Sequence, residues 1–288
     1  MEPRILEWGQ ERLGEVDALC SVALPEESLV EDDLELIRRD GTVLGSSDGT
    51  AAVVVTRRPG EPAAHLQLLV VHPARRRRGL ARRLVRAAED WAVADGAERL
   101  AVDGSTAFTL YRGVDTRWTE ALCLFDALGY ERRSITVELT CPTMQRTRRT
   151  HPAGTSVQHV ESDAELDQLM RFVEETVPQR AEEFTRAGES GTALMAVDAH
   201  PERLLGALAH SVSRVGVIGS LHVAEGDRDR GVGAALLLAA LADLSTAGLR
   251  TAEIDDDRAL GFHVRVAGAR VGRVSQEYRR ELTPRAEG

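Results

Sequence analysis

A chain of 288 residues exceeds one compact small domain and suits two. Its 43% apolar content is enough for a core, no apolar run approaches the ~18–20 residues that span a bilayer, and a net charge of −10 argues against a general nucleic-acid binder. Three widely spaced cysteines (Cys20, Cys123, Cys141) fit neither a disulfide framework nor a zinc site, and the eight histidines show no ligand spacing, so no metal is expected.

In chain order, the start "MEPRILEWGQERLGEV" lacks an apolar signal region, which with the few cysteines points to the cytoplasm. "RILEW" reads as a strand. "LGEVDALCSVALPEESLVEDDLELIRR" reads as helix, broken near Pro25. "TVLGSSDGTAAVVVT" is a hairpin with its turn at Ser46–Gly49, and "AAHLQLLVV" is a buried strand ending at Pro73. An amphipathic helix then runs from Gly79 to Gly96, followed by the strand "RLAVDG", the helix "TRWTEALCLFDALG" and the closing strand "SITVELT". The second half repeats this order: "SVQHV", "DAELDQLMRFVEETV", the hairpin "TALMAVD"/"RLLGALAHS", the central strand "VGVIGSLHV", the helix after Gly231, "TAEID", a short helix near Leu260, and "GRVSQEYRREL" as its closing strand. The absence of Lys and Asn, with abundant Ala and Arg, reflects a GC-rich, bacterial type of genome.

The two halves superpose. A shift of 152 carries Leu69 to Leu221, Val71 to Val223, Arg76 to Arg228, Arg78 to Arg230, Gly79 to Gly231, Ala81 to Gly233 and Gly96 to Gly248. The pattern predicts a tandem duplication: a domain over 1–142, a polar linker over 143–155, and a second domain over 156–288. In each copy a strand leads through a short turn into a helix that opens at a glycine. The first N–H groups of such a helix lack internal partners and face the turn, where the helix dipole is positive. The turn is therefore suited to a phosphate, with Arg76, Arg77 and Arg78, or Arg228 and Arg230, adding charge-assisted hydrogen bonds. No GK[ST] follows and no GxGxxG is present, which excludes a P-loop and a dinucleotide fingerprint.

What remains is [RQ]-x-x-G-x-[GA] after a strand: Arg76-Arg77-Arg78-Gly79-Leu80-Ala81, and Arg228-Asp229-Arg230-Gly231-Val232-Gly233. In the settings "LVVHPARRRRGLA" and "LHVAEGDRDRGVG", both halves resemble the GCN5-related N-acetyltransferases (GNAT), in a tandem layout like that of mycothiol synthase. The resemblance implies an α/β fold of two such domains, each a mixed, mostly antiparallel sheet flanked by helices. It implies acetyl-CoA as co-substrate, with its pyrophosphate at the turn (Gly79, Leu80, Ala81; Gly231, Val232, Gly233) and its pantetheine along Leu69, Val70 and Val71, or Leu221, His222 and Val223. A small-molecule amine would be the acceptor, with no nucleic-acid or membrane partner. A non-catalytic acyl-CoA-binding protein is the alternative.

The chain departs from the family where a general acid is usual. A tyrosine four residues before the glycine of the closing motif is replaced by Phe125 in the first copy and by Val264, next to His263, in the second. Tyr111, Asp103 and His263 are the candidate acid–base residues. His65 and Gln67 alternate on the central strand and are further candidates to face the cleft; Glu253 and Asp255 occupy the strand that matches Asp103. Each has a plain structural alternative, as a packed loop tyrosine, a polar strand face or a solvated strand end. The charge of the two turns favours the N-terminal copy for cofactor, because Glu225, Asp227 and Asp229 crowd the second.

Overall fold

The computed structural model describes residues 3–25, 27, 41–104, 109–144, 152, 154–199, 202–255 and 259–282. The expected helical stretch over 28–40 and most of the expected linker lie outside the described residues. The chain packs as two units: residues 1–136 with 274–288, and residues 137–273.

In unit 1 the sheet runs β1 (Ile5–Trp8), β2 (Gly41–Ser46), β3 (Ala51–Thr56), β4 (Ala63–Val71), β5 (Arg99–Val102), and then the 274–281 part of β13 (Arg270–Glu281). All of its pairings are antiparallel except β4 with β5. The short β6 (Val114–Asp115) pairs with Gln276 and Ser275. Strand β3 shows why the sheet is covered on both faces. Its residues are all buried, and they alternate: Val53 and Val55 pack on one side with helix α2 (Leu80–Ala94), while Ala52 and Val54 pack on the other with helix α1 (Leu13–Ala23). In α2 the buried residues Leu80, Leu84, Val85, Ala88 and Ala92 make one stripe, and Gly96, left-handed at φ 86°, follows its last turn. Helix α3 (Thr119–Ala127) joins the α2 face.

In unit 2 the order is β8 (Thr155–His159), β9 (Ala193–Ala199), β10 (Glu202–His210), β11 (Val217–Val223), β12 (Thr251–Ile254), and then residues 139–142 of β7 (Glu131–Pro142). Among its described residues only β11 and β12 pair in parallel. Helices α6 (Val232–Thr246) and α7 (Leu260–Ala267) cover one cluster of apolar residues. Helix α4 (Asp163–Thr176), opened by a capping box at Ser162 and Glu165, packs with α5 (Ala181–Glu189) on β10. Helix α5 has no counterpart in the sequence expectation, although Pro178 at a helix start and the spacing of Phe184 and Ala187 are its signals.

The elements otherwise follow the expected order, and the α/β class with a mostly antiparallel sheet and flanking helices is borne out. The closing strands need a correction. "SITVELT" was expected to close the first half and "GRVSQEYRREL" the second. Instead, Tyr278–Glu281 pair with β5 in unit 1, and Leu139–Pro142 pair with β12 in unit 2. Both segments alternate in the same way, so pattern alone does not choose the partner.

Candidate functional site

The strand–turn–helix of each unit repeats residue for residue. After β4 the chain makes a single helical turn, Pro73–Arg75, and after β11 another, Glu225–Asp227. Arg76 and Arg228 are both extended (φ −61°). Arg77 and Asp229 are both left-handed, at φ 62° and 59°, as are Gly79 and Gly231, at 78° and 87°. A left-handed Arg and a left-handed Asp, 152 residues apart, are unfavourable for residues with a Cβ, and their recurrence marks a specified loop. A Cβ at Gly79 would meet nothing within 4 Å, so space at the helix start is open. Helices α2 and α6 begin one residue after these glycines, with their first N–H groups directed at the turn.

The side chains around the two turns differ. In unit 1, Arg75 pairs with Asp48 at 2.9 Å; three further donors, from Ser46 and Thr50, help hold that carboxyl at about 2 despite its partial burial. Arg76 donates to the carbonyls of Ala23 (3.0 Å) and Val71 (3.3 Å). Arg77 and Arg78 are exposed and take part in no ion pair or hydrogen bond among the described residues. In unit 2, buried Asp227 accepts from Arg203 at 2.6 and 3.0 Å and from Arg230, and these bonds, Arg203's first, hold its carboxyl below the usual range. Arg230 is thus turned onto a carboxylate, and Arg228 is left beside exposed Asp229.

Beyond the turn, the backbone opens. Parallel pairing of β4 with β5 ends at His65↔Ala101, so beyond His65 strand β4 keeps β3 on one side and, among the described residues, no strand pairs with its other edge. The β3 register slips by one at Gln67, whose buried amide donates to Thr56 Oγ1 (3.0 Å) and whose Oε1 accepts from Leu110 N–H (3.3 Å). In unit 2 the corresponding bulge is at Gly219 and Ser220. There the Glu183 carboxylate accepts from Ser220 N–H (2.8 Å) and Oγ–H (2.6 Å). A Cβ at Gly219 would lie 2.1 Å from Glu183 Oε1, so any larger residue there would displace this carboxylate.

The structure joins two of the weighed residues. His65 Nδ1 lies 2.9 Å from Asp103 Oδ1, where β4 and β5 part. An ionised carboxylate only accepts, so Nδ1–H donates and Nε2 is left as the acceptor of a neutral ring. Asp103 also stands directly opposite Glu277 across β5 and β13, by the register Val102↔Tyr278. Glu277 accepts from Ser134. Burial, more than any neighbour, raises its pKa; the negative charge of Asp103 raises it further, and Arg112 opposes this. Nothing in the sequence expectation named Glu277.

Of the remaining candidates, Tyr111 is linked to Asp103 through Thr109, and His263 lies in unit 2. Tyr111 is buried, its hydroxyl donates to Glu27 (3.4 Å) and its ring meets Trp118 edge-on; Thr109 Oγ1 donates to its carbonyl at 2.7 Å. His263 is buried in unit 2 with its ring edge-on to Phe262, and Val264 is exposed. Phe125 is a core residue, stacked on Tyr278 and edge-on to Tyr130.

In unit 2, the same register sets Glu138 opposite Asp255. Here two buried arginines intervene. Arg273 Nε lies 3.4 Å from Glu138 Oε2, and Arg214 reaches Glu253 and, at 4.0 Å, Glu138. Burial pushes the Glu138 carboxyl up to about 7, against the pull of both guanidinium groups.

In unit 1 the sheet thus opens beside a helix that starts at a glycine. Residues 7–112 match the family model of the acetyltransferase (GNAT) family. Among solved structures, the chain resembles a tandem GNAT protein from the clavulanic acid biosynthesis pathway (TM-score 0.73, 19% identity, covering 99% of this chain and 100% of that one). It also resembles a GCN5-related N-acetyltransferase from Sphaerobacter thermophilus (TM-score 0.69, 19% identity, 98% and 96%). A third likeness is to a fungal multi-domain GH3 β-N-acetylglucosaminidase with a GCN5-related glucosamine N-acetyltransferase region (TM-score 0.73, 17% identity); it covers 96% of this chain, which spans only 38% of that one. Among curated proteins no match was found. The resemblance read from the sequence is borne out: the chain carries a GNAT-family domain over 7–112 and has the fold of a tandem GNAT protein. No helix among the described residues is long and apolar enough to cross a membrane.

Proposed function

We propose that the protein is an acetyl-CoA-dependent N-acetyltransferase for a small amine and that unit 1 carries the reaction. The observation that carries this reading is the His65–Asp103 pair at the point where β4 and β5 part, on the same strand that leads into the open Gly79 turn. The residues fit acetyl-CoA: Leu80 and Ala81 N–H face a turn with open space at Gly79, Arg77 and Arg78 add charge, and Leu69, Val70 and Val71 lie past the β4–β5 pairing, where an amide-bearing arm can run along the strand beside the Arg76 bond to the Val71 carbonyl.

Acetyl-CoA supplies an acyl thioester, whose C–S bond is exchanged for a C–N bond to the amine with loss of a proton and release of the CoA thiol. His65 Nε2 is the acceptor of the amine proton, and Asp103 holds the ring's tautomer and stabilises the imidazolium. Tyr111 borders the site through Thr109, which bonds both its carbonyl and, at 3.4 Å, that of Asp103. Within unit 2, Leu221, His222 and Val223, with Arg228, Gly231, Val232 and Gly233, form the weaker copy of the cofactor cradle.

A thiol-release assay with acetyl-CoA and a panel of amines tests the reading. Turnover that His65→Gln and Asp103→Asn each remove, with acetyl-CoA binding retained, is the expected result. Stabilisation by acetyl-CoA without turnover of any amine makes the protein an acyl-CoA binder instead.

A further inference from the structure

Glu277 reaches the proposed site from a strand about 170 residues further along the chain than Asp103, and its surroundings differ from those of its twin. The register aligns Tyr278 with Val102 in unit 1 and Leu139 with Ile254 in unit 2, so Glu277 corresponds to Glu138 and Asp103 to Asp255. Like charges directly opposite each other in a sheet oppose folding unless positive charge balances them. Unit 2 supplies that charge from its own chain, through Arg273 and Arg214. The matching positions in unit 1 are Ser134, which donates to Glu277, and Pro62. Unit 1 keeps the carboxylate pair, adds His65, and has Arg112 as the cation close to Glu277.

We propose that Glu277 is a specificity residue of the unit 1 site and that the acceptor it selects is a diamine or polyamine. One amine is acylated and a second remains as a cation facing Glu277 and Asp103, where unit 2 carries an arginine. This rests on the acetyltransferase reading. A monoamine loses its charge when it gives up its proton and no longer balances the carboxylates. A diamine keeps one charge throughout. Glu277 binds; His65 takes the proton.

The experiment measures turnover and calorimetric binding of 1,4-diaminobutane, butylamine and 4-aminobutyrate with acetyl-CoA. The proteins are wild type, Glu277→Gln, and Ser134→Arg, which restores the unit 2 arginine; each is checked by thermal melting. In wild type, kcat/KM for the diamine should exceed that for butylamine about tenfold or more, with 4-aminobutyrate poorest. Glu277→Gln should cut the diamine advantage to about twofold, through KM. Ser134→Arg should raise the diamine KM about tenfold. Equal use of the three amines by wild type, or an unchanged preference in both variants, overturns the proposal. If no amine turns over, diamine binding that wild type shows and both variants lose upholds the cation site while the acetyltransferase reading falls. Absence of both turnover and binding overturns it.

Discussion

The turns before α2 and α6 share a backbone and differ in the charge around it. Two left-handed positions recur at the same spacing, yet Arg77 and Arg78 face solvent in unit 1, whereas Asp227 in unit 2 draws in Arg203 and Arg230. The sheet ends differ in the same sense. Unit 1 opposes Asp103 and Glu277 beside a histidine; unit 2 opposes Asp255 and Glu138 and closes the place with buried arginines. A duplicated framework thus keeps its geometry while one copy spends its cations on its own carboxylates. Backbone conformation survives duplication because local sterics enforce it; charge placement changes with single substitutions.

The sharpest way to break this comparison is at the glycines. Gly79→Glu and Gly231→Glu suffer the same left-handed strain, so they are matched. Calorimetric titration of acetyl-CoA should show the tighter binding lost in Gly79→Glu, about a hundredfold or more, because a carboxylate ~4 Å from a pyrophosphate costs about 1–4 kcal/mol per charge pair. Gly231→Glu should leave it nearly intact, and the reverse pattern would place the working turn in unit 2.

Next in size is the acid pair. Asp103→Asn should lower turnover about a hundredfold to ten-thousandfold with acetyl-CoA affinity unchanged. Asp255→Asn, its counterpart, should stay within about twofold. Equal losses in the two variants would show that both units serve the reaction.

The arginines sharpen the comparison further. Arg77→Gln and Arg78→Gln should each weaken acetyl-CoA binding about fivefold, with a smaller deficit at high salt. Arg230→Gln should have no such effect, since that guanidinium is already held by Asp227.

The smallest effect concerns stability. Burial raises the Glu138 carboxyl to about 7 from an ordinary 4.5. The stability it contributes is complete below pH 4.5 and is lost as pH rises through 7. Melting temperature followed from pH 4.5 to 8 should therefore fall more steeply in wild type than in Glu138→Gln. Parallel curves would show that Glu138 does not titrate in this window.

The duplication was legible because both ends of one helix recur at one spacing, Gly79 with Gly231 and Gly96 with Gly248. The candidate site was legible only in part. Asp103 stood out as a strand-end carboxylate, but its bond to His65 needs the β4–β5 register, which no sequence pattern specifies. Glu277 was hidden because the spacing changes: Gly129 and Gly268, both left-handed after helices α3 and α7, are 139 residues apart. That shift carries Glu138 to Glu277, and the earlier spacing of 152 does not. Phe125 was read correctly as unable to donate a proton, and its place in the core against Tyr278 is the physical reason a large apolar ring suits it.

The source of the final strand of unit 1 has a consequence for synthesis on the ribosome. Residues 137–273 must be translated before 274–281 can pair with β5. At about 5–20 residues per second that is a delay on the order of ten seconds. Through that interval the nascent first unit presents β5 as an open edge, a template for pairing with other chains. Yield in the cell should therefore depend on elongation rate and on holdase chaperones more than the stability of the finished protein would indicate.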